Sequence, residues 1–397
     1  MADRAYLDHA ATTPMLAEAR AAWVAQSQRV GNPSSLHTAG RAARRVVEES
    51  REAIAADLRC RPSSVVFTAG GTEADNLAVK GLFWGRRDAV GARRVLASSI
   101  EHHAVLDPVE WLADHQQAEV AWLPVDERGR IDLASLETEL AEPSGVALCT
   151  VMWANNEIGT VQPVARIAEM CRAAGVPFHT DAVQALGFLP MDLTAVGADA
   201  VTISSHKIGG PFGVGALVLD PAAKVVPVLH GGGQEREVRS GTLDAAGIAG
   251  FAVAVAHAVA GQRERAAHVL ALRERLIAGI RATVPDARLN GDPGTGAEER
   301  LPGNVHLSFP GCEGDLLLML LDAAGIDCST GSACTAGIPE PSHVLLAMGA
   351  DPALARSSLR FSLGGTSTEA DVDAVLAALP GAVERARRAG TLAHRAG

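Results

Sequence analysis

The feature that most constrains this chain is an alternation. Seven short apolar runs (SSVVFTAG, RRVLASS, AEVAWLPV, GVALCTVMW, VPFHTDA, ADAVTISS and VGALVLD) each adjoin an Ala/Glu/Arg-rich stretch of helical period. Strands separated by helices predict an α/β fold with a mostly parallel sheet. The runs carry no clean polar alternation, as expected of strands covered by helices on both faces. In such a fold, sites form beyond the carboxyl ends of the strands.

From about Ala245 the texture changes. A long helical segment is expected through Ile280, then the Gly/Pro-rich loop NGDPGTGAEERLPGN, then a smaller α+β region containing NVHLSF, GDLLLMLLDAAG and SLRFSLGG. A boundary is expected near residue 260, and 397 residues with 48% hydrophobic content can fill two cores. The stretch AAGIAGFAVAVAHAVAGQ carries His257 and reads as a buried helix rather than a bilayer span. With 35 basic against 46 acidic residues and no basic block, direct nucleic-acid binding is not expected. The opening MADRAYLDHAATTP has charges where an export signal needs an apolar core, so a cytoplasmic location is expected.

Several run ends carry chemistry. Ser204-Ser205-His206-Lys207 closes one strand before a Gly-rich turn, and Asp181 closes another, with Gln184 three residues on. A lysine able to hold an aldehyde as a Schiff base and an acid able to pair a protonated ring nitrogen are what a pyridoxal phosphate electron sink requires. Each also has an ordinary explanation, a surface lysine and a helix-capping aspartate. VVFTAGGTEADNLAVKG offers a strand, two glycines and Thr72 opening a helix, which suits an anion or a simple N-cap. His102 and His103 follow another strand, either as acid–base groups or as loop histidines, and ANNEIGT ends a further one.

The six cysteines show no paired or zinc-like spacing, and free thiols are expected. Cys149 sits in an apolar run, whereas Cys334, in STGSACTAGIPEPSH, has almost no side chains around it to pack against.

The motifs AGGTEADN, EHHAVLD, NNEIG, TDAVQ, SSHK, GGGQEREVRSGT and GSACTAG, with YLDHAATTP at the start and LRFSLG near residue 360, together resemble the NifS/IscS-like (group I) cysteine desulfurases. These are fold-type I, pyridoxal 5′-phosphate-dependent members of the class V aminotransferase family. The resemblance implies a large cofactor domain over residues 16–260 and a smaller α+β domain from residues 1–15 and 261–397. It implies Lys207 as Schiff-base lysine, Asp181 as ring-nitrogen partner, His102 stacked on the ring, and Gln184 and Asn156 near the ring hydroxyl and substrate. Gly71, Thr72, Ser204 and His206 match the phosphate-binding set, and Thr242 would reach the phosphate of a neighbouring subunit in a homodimer. Arg360 would clamp the substrate carboxylate, suiting a bidentate guanidinium. Cys334, on a mobile loop at about 328–342, would attack the sulfur of L-cysteine and hold it as a persulfide, with His102 or the substrate assisting deprotonation. L-Alanine leaves, and an iron–sulfur scaffold or a tRNA thiolase accepts the sulfur; no metal is implied. A selenocysteine lyase, another β-lyase or aminotransferase, or a silent scaffold protein are the alternatives. EHH where many members have EHK, HKIGGP where many have an aromatic after the isoleucine, and the AHRAG terminus depart from the common pattern.

Overall fold

The computed structural model describes residues 4–331 and 341–396, with side chains through residue 389. Its strands, in chain order, are β1 (Ala5–Tyr6), β2 (Val65–Thr68), β3 (Arg94–Ser98), β4 (Glu119–Leu123), β5 (Val146–Thr150), β6 (Phe178–Asp181), β7 (Ala200–Ser204), β8 (Gly215–Leu219), β9 (Arg288–Leu289), β10 (Asn304–Ser308), β11 (Ile326–Asp327) and β12 (Ser358–Ser362). The seven apolar runs of the sequence become one seven-stranded sheet of order β2-β8-β7-β6-β5-β3-β4. Pairings from β7 through β4 are parallel, and β8 runs antiparallel between β2 and β7. Strands β2, β5, β6, β7 and β8 are buried along their whole length, which is why their sequences lack alternation.

The parallel strands bring their carboxyl ends to one edge of the sheet. The helix Gly71–Val90 follows β2 immediately, because Gly70 takes φ 142°, a conformation that an L side chain rarely adopts. The helix ends on Gly91 at φ 77°.

The single helix expected from Ala245 through Ile280 is two. Ala245–Ala260 and Gln262–Thr283 meet at Gly261 and differ in direction by 70°. The break is stabilised because the Arg265 guanidinium donates to the carbonyls of Ala258 and Gly187, satisfying an acceptor that the interrupted ladder leaves over. Ile248, Phe251 and Val255 of the first helix are buried against the sheet's core. Among the described residues no single helix is long and apolar enough to cross a membrane.

A second apolar cluster gathers Leu7, Val269, Leu276, Val305, Phe361 and Val372. It is covered by the antiparallel sheet β12-β10-β9 and by the parallel pair β1-β11, so residues 5–7 pack with the C-terminal third of the chain.

Candidate active site

At the carboxyl edge of the large sheet lies a cavity of about 400 Å³. Gly71, Thr72, His102, Asn156, Asp181, Gln184, Ser204, His206, Lys207 and Arg360 all line it, although they come from segments up to 289 positions apart. Ala10 and Ala11 close one side, and Ser329, Gly331 and His343 another.

Lys207 sits on a single 3-10 turn just past β7, and its Nζ donates to the carbonyls of Ala10 (2.6 Å) and Ala11 (2.9 Å). Burial, then the nearby Arg360 cation, pulls its pKa down to about 8. Asp181 ends β6 and accepts the Val183 N–H at 2.8 Å. Burial, then the negative charge of Asp75, raises it to about 7, and it is in no ion pair among the described residues.

Behind it lies a polar layer. Asp75, one turn into the Gly71 helix, is also raised to about 7 by burial, and its Oδ1 is 3.5 Å from His179 Nε2. His179 bridges Thr150 Oγ1 through Nδ1 (2.9 Å) and Thr202 Oγ1 through Nε2 (3.1 Å), and burial lowers its pKa to about 4.

Among the described residues no side chain caps the Gly71 helix, whose first turn lies at the cavity wall. Thr72 is therefore a first-turn residue and not the N-cap. Beside it the Ser204 hydroxyl is buried without a partner among the described residues. A Cβ on Gly71 would come within 3.1 Å of Val183 Cγ2, so a larger residue here would require Val183 to shift by a few tenths of an ångström. Glu73 turns away, accepting the Ala69 N–H at 2.7 Å and pairing with Arg239 at 2.7 Å.

His102 caps the helix His103–Gln116, its Nδ1 accepting the Ala104 N–H at 3.1 Å, so the ring proton is on Nε2. Burial, then the Lys207 charge, lowers its pKa to about 4, which keeps it neutral. His206, likewise lowered to about 4 by burial, meets Thr12 Oγ1 at 3.3 Å. Gln184 Nε2 donates to the Ala10 carbonyl at 2.9 Å. Arg360 donates to Asp8 Oδ1 (2.8 Å) and to the Asn156 carbonyl (3.1 Å), leaving its buried Nε without a partner.

One expected site residue among the described ones is not in the cavity. Thr242 is exposed and does not line the cavity of its own chain. Cys334 and residues 332–340 of the expected mobile loop lie outside the described residues, whereas the loop's ends at 328–331 and 341–342 are described. The five described cysteines are free, and burial raises Cys60 to about 11 and Cys328 to about 12, so neither is a reactive thiolate. Among the described residues no group of His, Cys, Asp or Glu could hold a metal ion.

The sequence did not single out Asp75, Glu101, Asp8 or the carbonyls of Ala10 and Ala11. Asp75 was within reach of helical phase, since it lies four residues after Gly71 and shares its face. Glu101 is fully buried and raised by that burial, with Oε1 accepting the Met152 N–H at 2.6 Å.

A lysine, a buried aspartate and a helix N-terminus meet at the carboxyl edge of a mostly parallel sheet, where folds of this kind build their sites. The family model for class-V aminotransferases matches residues 5–375, and the chain belongs to that family. Within it, the chain is a cysteine desulfurase of the NifS/IscS-like branch. It is 56% identical to an IscS-like cysteine desulfurase of Mycobacterium tuberculosis, over 97% of this chain and 98% of the relative. It is 41% identical to the cysteine desulfurase IscS of Methanosarcina thermophila, over 96% of this chain and 92% of that one. A solved NifS-like protein superposes with a TM-score of 0.88 at 33% identity, covering 96% of this chain and all of that one. DndA from Streptomyces lividans superposes with 0.74 at 36% identity, covering 90% and 99%.

Proposed function

We propose that the cavity binds pyridoxal 5′-phosphate and L-cysteine, and that the sulfur leaves as a persulfide on Cys334 with L-alanine as the other product. The observation that carries this is the convergence of Lys207, Asp181 and the uncapped Gly71 helix on one cavity. The groups fit the cofactor: among the described residues, the N–H groups of the helix's first turn and the unpartnered Ser204 hydroxyl suit a phosphate, and an unpaired buried Asp181 suits a protonated ring nitrogen. When bound, the cofactor supplies an electron sink beside the substrate α-carbon.

The chain's own groups then have distinct tasks. Lys207 would hold the cofactor through Nζ and, once displaced by the substrate amine, take the α-proton; a pKa near 8 makes the neutral amine available near neutrality. Asp181 would hold the ring-nitrogen proton, with Asp75 and His179 behind it. Neutral His102 would lie against the ring and present an Nε2–H, while Gln184 and Asn156 would face the ring hydroxyl and substrate. Gly71, Thr72, Ser204 and His206 would hold the phosphate, and Arg360 would orient the substrate carboxylate. The role of Cys334 rests on its GSACT context.

We further propose a homodimer in which Thr242 completes the neighbouring phosphate site, an exposed position being available for that. A large unit over 16–260 and a small one from 1–15 and 261–397 are supported by an apolar cluster whose buried members all come from 1–15 and 261–397, although a small cluster of Ile100, Met152 and Ile158 with Val344, Leu345 and Ala355 joins the two. A cytoplasmic location and an acceptor for iron–sulfur assembly or tRNA thiolation complete the proposal. The test is Cys334→Ser: cofactor absorbance should persist while cysteine-dependent sulfide and alanine formation cease. Continued sulfide release would overturn it.

A further inference from the structure

The residues on either side of segment 332–340 lie beside the same buried carboxylate, Ser342 through a hydrogen bond and Gly331 by proximity. Ser342 Oγ donates to Glu157 Oε2 at 2.5 Å, a distance expected for a hydroxyl on a carboxylate. The same hydroxyl oxygen accepts the Leu345 N–H at 3.2 Å, capping the short helix His343–Ala347. On the other side, Gly331 takes φ 86°, and a Cβ built on it would lie 3.5 Å from Glu157 Oε2 and 2.7 Å from His306 Nε2. Ser329 pairs with Arg360 through both backbone bonds, at 2.6 and 3.1 Å.

Glu157 is itself fixed from several directions. Its side chain is buried, its N–H donates to Asn155 Oδ1 at 2.9 Å, and its carbonyl accepts from Asn304 Nδ2 at 2.9 Å. His306 is buried on β10, with Nδ1 accepting from Asn290 Nδ2 at 3.0 Å. A buried carboxylate is costly to desolvate unless its partners compensate, so a contact spanning 185 positions to Ser342 constrains where the chain can run. Glu157 also lines the cavity.

We propose that Glu157 is a positioning residue for sulfur transfer: through Ser342, and with His306 backing Gly331, it registers both flanks of segment 332–340 against the cavity wall. This rests on Cys334 as the sulfur-bearing residue. It separates sulfur transfer from the earlier steps, because neither Glu157 nor Ser342 is asked to touch the cofactor phosphate, the ring nitrogen or the substrate carboxylate.

The test uses the cofactor-loaded enzyme with Glu157→Gln, Ser342→Ala, the double variant and Ser342→Thr, which keeps the hydroxyl. Expected are kcat for alanine formation lowered about 10- to 100-fold in both singles, the size of effect that small misplacements produce. KM and cofactor absorbance should stay unchanged, the double variant should be no worse than the worse single, and Ser342→Thr should recover kcat. Substrate-free enzyme should also show faster iodoacetamide labelling of Cys334 in the two singles, read by peptide mass spectrometry. The proposal is overturned if the singles keep wild-type kcat and labelling rate, or if they lose cofactor absorbance in step with kcat. A Cys334→Ser enzyme that still releases sulfide would instead overturn the role of Cys334, whatever the Glu157 variants do.

Discussion

The guanidinium of Arg360 meets the carboxylate of Asp8 at 2.8 Å across 352 positions of chain. Residue 8 follows β1, which pairs with β11, and Arg360 is on β12, which pairs with β10, so the contact is set by the C-terminal core. With Nη1 on the Asn156 carbonyl, the side chain is aimed into the cavity.

That aim gives a prediction for substrate binding. Arg360→Lys keeps the charge but loses the planar fork, so one charge-assisted hydrogen bond of about 2 kcal/mol should go. KM for cysteine should rise roughly 10- to 100-fold with cofactor affinity unchanged, measured by steady-state alanine formation beside cofactor titration.

Lys207 predicts the pH profile. Its pKa is depressed, to about 8, and the neutral amine is the form that accepts a proton. Activity should therefore rise with pH through about 8 and level off above it. Lys207→Arg, which stays protonated, should abolish alanine formation at every pH.

Asp75 predicts a stability effect of opposite sense. Its folded pKa, about 7, lies above the unfolded value of 3.8, so the folded state holds a proton that the unfolded chain has released. Its contribution is present below pH 3.8 and is lost as pH rises through 7. Asp75→Asn should gain stability relative to wild type between pH 5 and pH 8, by an amount on the order of a few kcal/mol in denaturant melts. A gain that did not grow with pH would refute it.

The segment leading to Thr242 is tied down by a buried pair. Arg51 Nη2 and Glu235 Oε1 are 2.7 Å apart, and Glu235 Oε2 also accepts the Phe67 N–H at 2.8 Å. Glu235→Ala leaves the buried Arg51 with the more exposed Glu48 as its remaining carboxylate partner and should cost about 3 kcal/mol, seen as a lowered denaturation midpoint.

Much of this was legible in order along the chain. Each apolar run became a strand of the large sheet, and the five that are buried along their length are apolar on both faces because helices or other strands cover both. Lys207, Asp181 and His102 stood out because polar residues that follow such runs fall at the carboxyl edge. The helix from Ala245 misled, because no local pattern announces that Arg265 will reach back to the Ala258 and Gly187 carbonyls and stabilise a break at Gly261.

What the sequence determined by itself is the set of elements and the chemical types at their ends, since those follow from side-chain period and the needs of buried backbone. Only the tertiary structure decided which distant groups share a partner. The carbonyl of Ala10 receives both Lys207 and Gln184, and Glu157 receives Ser342. Those pairings are between residues more than 170 positions apart, and burial fixes them because a polar group removed from water must find its partner wherever the packed chain brings one.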